Sequence, residues 1–77
     1  MNPRPMKVET LDNYCLKITF KNNEVRFFDM NPYLNTGIFI ELKDPSIFNT
    51  AKVENNTITW INGQDLCPDT FYQESQA

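Results

Sequence analysis

In Tyr14-Cys15-Leu16-Lys17-Ile18-Thr19-Phe20, four apolar side chains alternate with Cys15, Lys17 and Thr19. A period of two over seven residues predicts a β-strand with one face on a core. Working outward, Lys7 to Leu11 alternates more weakly, with Val8 and Thr10 opposed to Glu9 and Leu11. On the other side, Glu24 to Met30 sets Val25 and Phe27 against Arg26, Phe28 and Met30. Asp12-Asn13 and Asn22-Asn23 separate the three segments. Asparagine tolerates positive φ and suits tight hairpin turns, so the ten asparagines read largely as punctuation between strands. The result is a three-stranded meander.

A second hairpin is expected over 51–55 and 57–61, turning at Asn55-Asn56, with Ile58 and Trp60 on one face. Two short helices complete the elements. Asp44-Pro45-Ser46-Ile47-Phe48 has an N-cap aspartate before a proline at the first helical position. Cys67-Pro68-Asp69-Thr70-Phe71-Tyr72 repeats the plan with a weaker cap. Phe48 and Phe71 are the anchors each helix would dock on the sheet. Ile38-Phe39-Ile40-Glu41-Leu42 reads equally as a short strand or one helical turn. The expected class is α+β: a small twisted, mostly antiparallel sheet, made of the meander plus the second hairpin, with two short helices covering one side. Five strands in one open sheet would leave two edges. The thin core is expected to consume Phe20, Phe27, Phe48 and Phe71.

Seventy-seven residues allow one domain, 1–77, with its core over about 6–74. A chain of this size buries roughly 60% of its unfolded surface, which leaves no room for a deep, walled cavity. Ten acids against seven bases give a net charge of −3, which argues against a nucleic-acid or anionic-membrane surface. The bases are dispersed along the chain, so no nucleic acid is expected as a partner. With no histidine, the common nucleophile pairs, imidazole metal ligands and the usual neutral-pH proton shuttle are missing. Cys15 and Cys67 alone do not complete a tetrahedral zinc site. No catalytic, cofactor or metal residue is assigned, and the expectation is a non-enzyme without cofactor. The opening residues have no apolar signal-peptide core, and no apolar run reaches the ~18 residues that span a bilayer. These features point to the cytoplasm, away from membranes, with two separate thiols rather than a disulfide.

Five groups of residues, in order, carry a resemblance: Pro3-Arg4-x-x-Lys7-Val8; Val25-Arg26-Phe27-Phe28-Asp29; Pro32-Tyr33-Leu34 with Gly37; Phe39-x-x-Leu42-x-Asp44-Pro45-x-x-Phe48; and Ile58-x-Trp60-x-Asn62-Gly63-x-Asp65-Leu66-x-Pro68-Asp69-Thr70-x-Tyr72. From about residue 4 to 74 the chain resembles the bacterial family called domain of unknown function 2442. The resemblance implies a compact α+β fold. It also implies a partner, since the family's members are often encoded beside another small protein (domain 4160), an arrangement that looks like a toxin–antitoxin pair. Some members add a helix-turn-helix domain, and no such segment is expected within these 77 residues.

The candidate site lies in the tail. Trp60, Asn62, Asp65 and Asp69 place an aromatic plate, an amide and two carboxylates within ten residues, with Tyr72 at the edge. One reading is a recognition patch in which Trp60 stacks and Asn62 and Asp65 hydrogen-bond. The competing reading is local structure, with Trp60 packed inward, Asn62-Gly63 turning and the Asp65 carboxylate capping backbone N–H groups. Cys67 sits where a helix N-terminus lowers a thiol pKa, but Asp65 and Asp69 oppose that shift. The exposed sheet edges, Lys7-Val8-Glu9 or the strand at 51–55, are the remaining means of engaging another chain. Three functions stay in play. The first is a protein-interaction module with a protein partner, of basic character and encoded nearby, for which the antitoxin-like member of a pair is one form. The second is a small-molecule sensor using a Trp60/Tyr72 patch. The third, disfavoured, is an enzyme. A homodimer is compatible with the sequence.

Overall fold

The computed structural model describes residues 2–77. Strands β1 (Pro5–Leu11), β2 (Cys15–Phe20) and β3 (Val25–Asp29) form an antiparallel meander in the order β1-β2-β3. Strands β4 (Lys52–Glu54) and β5 (Thr57–Thr59) form a separate antiparallel hairpin. The expected α+β fold is therefore present, but the five strands make two sheets, not one. Helices α1 (Pro45–Phe48) and α2 (Pro68–Gln73) lie where the Asp-Pro and Cys-Pro signals put them. Asp44 caps α1, its Oδ1 accepting from the Ser46 N–H at 3.0 Å. Cys67 makes no side-chain cap on α2.

The turns explain the strand limits. Asn55 and Asn56 both have positive φ, 54° and 64°, the condition for a two-residue hairpin whose twist matches its strands. The first turn is less regular. Asn13 and Tyr14 both have φ near 60°, so Tyr14 leaves the expected strand, and its hydroxyl donates to the Lys43 carbonyl. Gly37–Lys43 is a 3-10 helix, which resolves the segment that read as strand or turn. Its buried residues are Phe39 and Leu42, three apart, as three residues per turn require. Ile38 and Ile40 face out, 61% and 53% exposed.

One cluster forms the core, including Leu16, Ile18 and Phe20 of β2, Phe28 of β3, Phe48 of α1, Phe71 of α2, and Ile58 with Trp60 at the second hairpin. The Trp60 indole N–H donates to the Phe48 carbonyl at 3.0 Å, which fixes β5 to α1 inside this core. Phe28 packs edge-on against Phe71 at 5.0 Å between ring centroids. Phe27, expected in the core, is 45% exposed. The register supplies the reason. Leu16 pairs with Phe28 and Ile18 with Arg26, so even-numbered residues share the covered face, while Phe27 sits opposite Lys17. Cross-strand partners always lie on the same face.

Core and surface phenylalanines should separate cleanly in urea denaturation. Phe28→Ala is expected to cost about 3–5 kcal/mol, and Phe27→Ala less than about 1 kcal/mol. Similar losses for both would contradict the register. Trp60→Phe, which removes the indole donor and leaves the Phe48 carbonyl with the Ala51 N–H alone, at 3.3 Å, should cost about 1–3 kcal/mol.

Candidate interaction surface

The five tail residues go to different places. Trp60 is 1% exposed, so its ring offers no stacking plate to solvent. A sensor built on Trp60 and Tyr72 loses its principal surface. Asn62 holds the turn: its Oδ1 accepts from the Gln64 N–H at 3.2 Å, and its Nδ2 donates to Glu41 at 3.0 Å. Gly63 completes that turn at φ 86°, in the region glycine enters without strain. Asp65 is exposed, and its carboxylate does not cap the loop. Two threonine hydroxyls serve the loop instead, Thr57 donating to the Leu66 carbonyl and Thr59 to the Gln64 carbonyl, both at 2.8 Å. Asp69 lies 3.6 Å from the Arg4 guanidinium.

Tyr72 belongs to another cluster. Its hydroxyl donates to Glu24 at 2.6 Å, its ring meets Phe20 edge-on at 5.0 Å, and the Arg26 guanidinium lies 3.9 Å above it. Arg26 also pairs with Glu24 at 3.0 Å and donates to the Tyr72 carbonyl at 3.1 Å. The Tyr72 hydroxyl, with help from Asn22 and Arg26, holds the Glu24 carboxyl below its ordinary range. Glu24 in turn raises the Tyr72 pKa. This clamp ties α2 to β3 and occupies every polar group it contains.

The opposite face of the meander has no such cover. Lys7, Glu9, Lys17, Thr19, Val25 and Phe27 share it by register, and none of them is buried. Val25 and Phe27 are 41% and 45% exposed, two positions apart on the outermost strand. Glu9 sits opposite Lys17, leaving the apolar half of the face toward β3. A sheet normally buries at least one face against another layer, and here all the layers lie on the other side.

β3 is also an open edge. Phe27 exchanges two backbone hydrogen bonds with Gln76, at 2.6 and 2.8 Å, and among the described residues Gln76 alone bridges this edge. Beside that bridge lies a cleft of about 380 Å³ lined by Cys15, Phe27, Phe28, Asp29, Glu74, Gln76 and Ala77. Partial burial, with Asp29 close by, raises the Cys15 thiol pKa. At the cleft's rim the Tyr33 hydroxyl donates to Glu74, which pushes the Tyr33 pKa up to about 12. Among the described residues no group of three His, Cys, Asp or Glu side chains gathers as if for a metal ion. No helix among the described residues is long and apolar enough to cross a membrane.

The family model described as "Protein of unknown function (DUF2442)" matches residues 5–77. The chain belongs to this family. No curated protein matches it, and no solved structure does. The match starts at Pro5, the first residue of β1, so all five strands and both helices of this DUF2442 chain lie within it. The exposed Val25–Phe27 pair falls inside the match too. Sequence reasoning missed this pair because Phe27 and Phe28 are adjacent aromatics, and only the pairing with β2 tells which faces out. The bridge from Gln76 carried no signal at all.

Tyr33 gives a pH test. Its folded pKa of about 12 lies above the unfolded value of about 10. The contact therefore adds stability that is complete below pH ~10 and is lost as pH rises toward the folded value. In an absorbance titration of tyrosinate, Tyr33 should ionise late, and Glu74→Gln should bring that late component down. Unchanged titration in Glu74→Gln would mean that the contact is absent in solution.

Proposed function

We propose that this chain is a non-enzymatic protein-interaction module that engages a basic protein partner through the uncovered face of its meander. The carrying observation is the half-exposed Val25–Phe27 pair on a sheet face with no layer above it. Apolar side chains grouped on an otherwise polar surface are how a small protein presents a docking site. Asp29 and Glu74 lie beside that pair and line one cleft, and the whole chain carries a net charge of −3. Such a surface suits a basic partner and speeds its encounter. The absence of histidine and the separation of the tail carboxylates favour binding over catalysis. An antitoxin-like or accessory role beside an adjacently encoded small protein fits this reading, as does a cytoplasmic setting, where Cys15 and Cys67 stay as free thiols.

The test is co-purification with the product of the neighbouring gene, using the native chain and a Val25→Thr/Phe27→Thr variant. Threonine keeps the strand preference and removes the apolar surface. The native chain should recover the partner at one-to-one stoichiometry, less well at high salt, and the variant should lose at least about tenfold in affinity, the equivalent of about 1.4 kcal/mol. Equal recovery by both would overturn the proposal.

A further inference from the structure

The edge of β3 is bridged at a single rung. Peptide groups along a strand alternate between its two sides, so those of Val25 and Asp29 point the same way as that of Phe27, away from β2. Gln76 satisfies Phe27, and among the described residues no other rung of this edge is paired. The antiparallel register that sets Gln76 opposite Phe27 would set Glu74 opposite Asp29. Two carboxylates facing across a ladder repel each other. Glu74 instead takes a helical conformation at the end of α2, φ −97° and ψ −1°, so the ladder stops there. Asp29 and Glu74 nevertheless line the same cleft. Asp29 Oδ1 accepts from the Asn31 backbone and side-chain nitrogens, at 2.9 and 2.7 Å, and Glu74 accepts from Tyr33. Among the described residues neither carboxylate has a cation beside it, since the ion pairs are Arg4–Asp69, Arg26–Glu24 and Lys52–Glu54.

We infer that the outer edge of β3 accepts an extended, basic segment of the partner as an added antiparallel strand, which displaces the Gln76 bridge. The inference rests on the interaction reading above and names the segment that the surface takes. Main-chain hydrogen bonds to Val25, Phe27 and Asp29 supply the affinity, and alternate side chains supply the choice, as in other strand additions. Read from its N-terminus, the incoming strand meets Asp29 first, then Phe27, then Val25. Its side chains at those rungs share the uncovered face with them. The order that fits is a lysine or arginine, any residue, an aromatic or β-branched residue, any residue, and a β-branched residue. The cation answers the Asp29 and Glu74 carboxylates, and the two apolar residues cover Phe27 and Val25. The chain's own tail offers a glutamate where this order has a cation, which makes Gln76 a placeholder for a better-matched strand.

The probe is the peptide acetyl-Ser-Arg-Thr-Tyr-Thr-Val-Ser-amide, with a scrambled peptide and an arginine-to-glutamate peptide as controls, titrated into the isotope-labelled full chain. The expected result is that Val25, Phe27, Asp29 and Gln76 amides shift together and that Val25 and Asp29 gain protection from hydrogen exchange. The glutamate peptide should bind about fivefold more weakly, the size of one cross-strand charge contact. Asp29→Asn, which keeps the acceptor for Asn31, should lessen that preference. A chain truncated after Ser75 should bind the arginine peptide about two- to tenfold more tightly, because no bridge has to break. Unmoved Val25 and Asp29 amides, or equal binding of the scrambled peptide, would overturn the inference. Protection of the same amides by raising protein concentration alone would overturn it in favour of a second copy at the edge. If the partner is lost by Val25→Thr/Phe27→Thr but leaves the edge amides unprotected in the complex, the edge inference fails and the interaction reading stands. Equal partner recovery by that variant removes the interaction reading itself.

Discussion

Among the described residues, burial is limited to one face of the meander. That limit organises the molecule. Leu16, Ile18, Phe20 and Phe28 turn to the same side, and Phe48, Trp60 and Phe71 close over them from α1, the second hairpin and α2. The Trp60 indole bond to the Phe48 carbonyl is the polar fastening inside this layer. It gives the buried indole N–H its partner and the Phe48 carbonyl a second donor beside the Ala51 N–H, and a buried N–H left unpaired is costly. With every covering element committed to one side, the other side of the meander has no layer of its own. The exposed Val25–Phe27 pair lies on that uncovered side.

The same economy accounts for the polar clusters. Glu24, Arg26 and Tyr72 use their charges on one another, binding the end of α2 to β3. Thr57 and Thr59 use their hydroxyls on the carbonyls of the loop that leads into α2. These groups already have partners. The carboxylates of Asp29 and Glu74 have hydrogen-bond donors but no cation, and they lie beside the apolar pair at the open edge. An exposed apolar pair and two carboxylates without cations therefore meet along β3.

Much of the fold was legible in the sequence because local signals agreed with the final packing. The alternation through Leu16, Ile18 and Phe20, the paired asparagines at 55–56 and the Asp44-Pro45 start all describe short-range geometry. Three features depend on longer-range information. Adjacent Phe27 and Phe28 are interchangeable to any periodicity argument until β2 fixes the register. Ile38-Phe39-Ile40-Glu41-Leu42 alternates like a strand, yet burial falls on Phe39 and Leu42 because the segment winds as a 3-10 helix. Gln76 bridges Phe27 through its backbone, which leaves no trace in side-chain type. The tail constellation was only half readable for a related reason. Its residue types suit a site and a loop equally well, and the burial of Trp60 gives its ring to the core.

Every strand pairs with its neighbour in sequence, so both ladders zip without closing a long loop. The aromatic contacts behave differently. Phe20 meets Tyr72 and Phe28 meets Phe71, across more than forty residues of intervening chain. During synthesis the meander can pair early, but its greasy inner side stays partly uncovered until residues 71 and 72 have left the ribosome. For that interval a growing chain shows two unprotected faces, the period in which it is most exposed to clumping or to rescue by a chaperone.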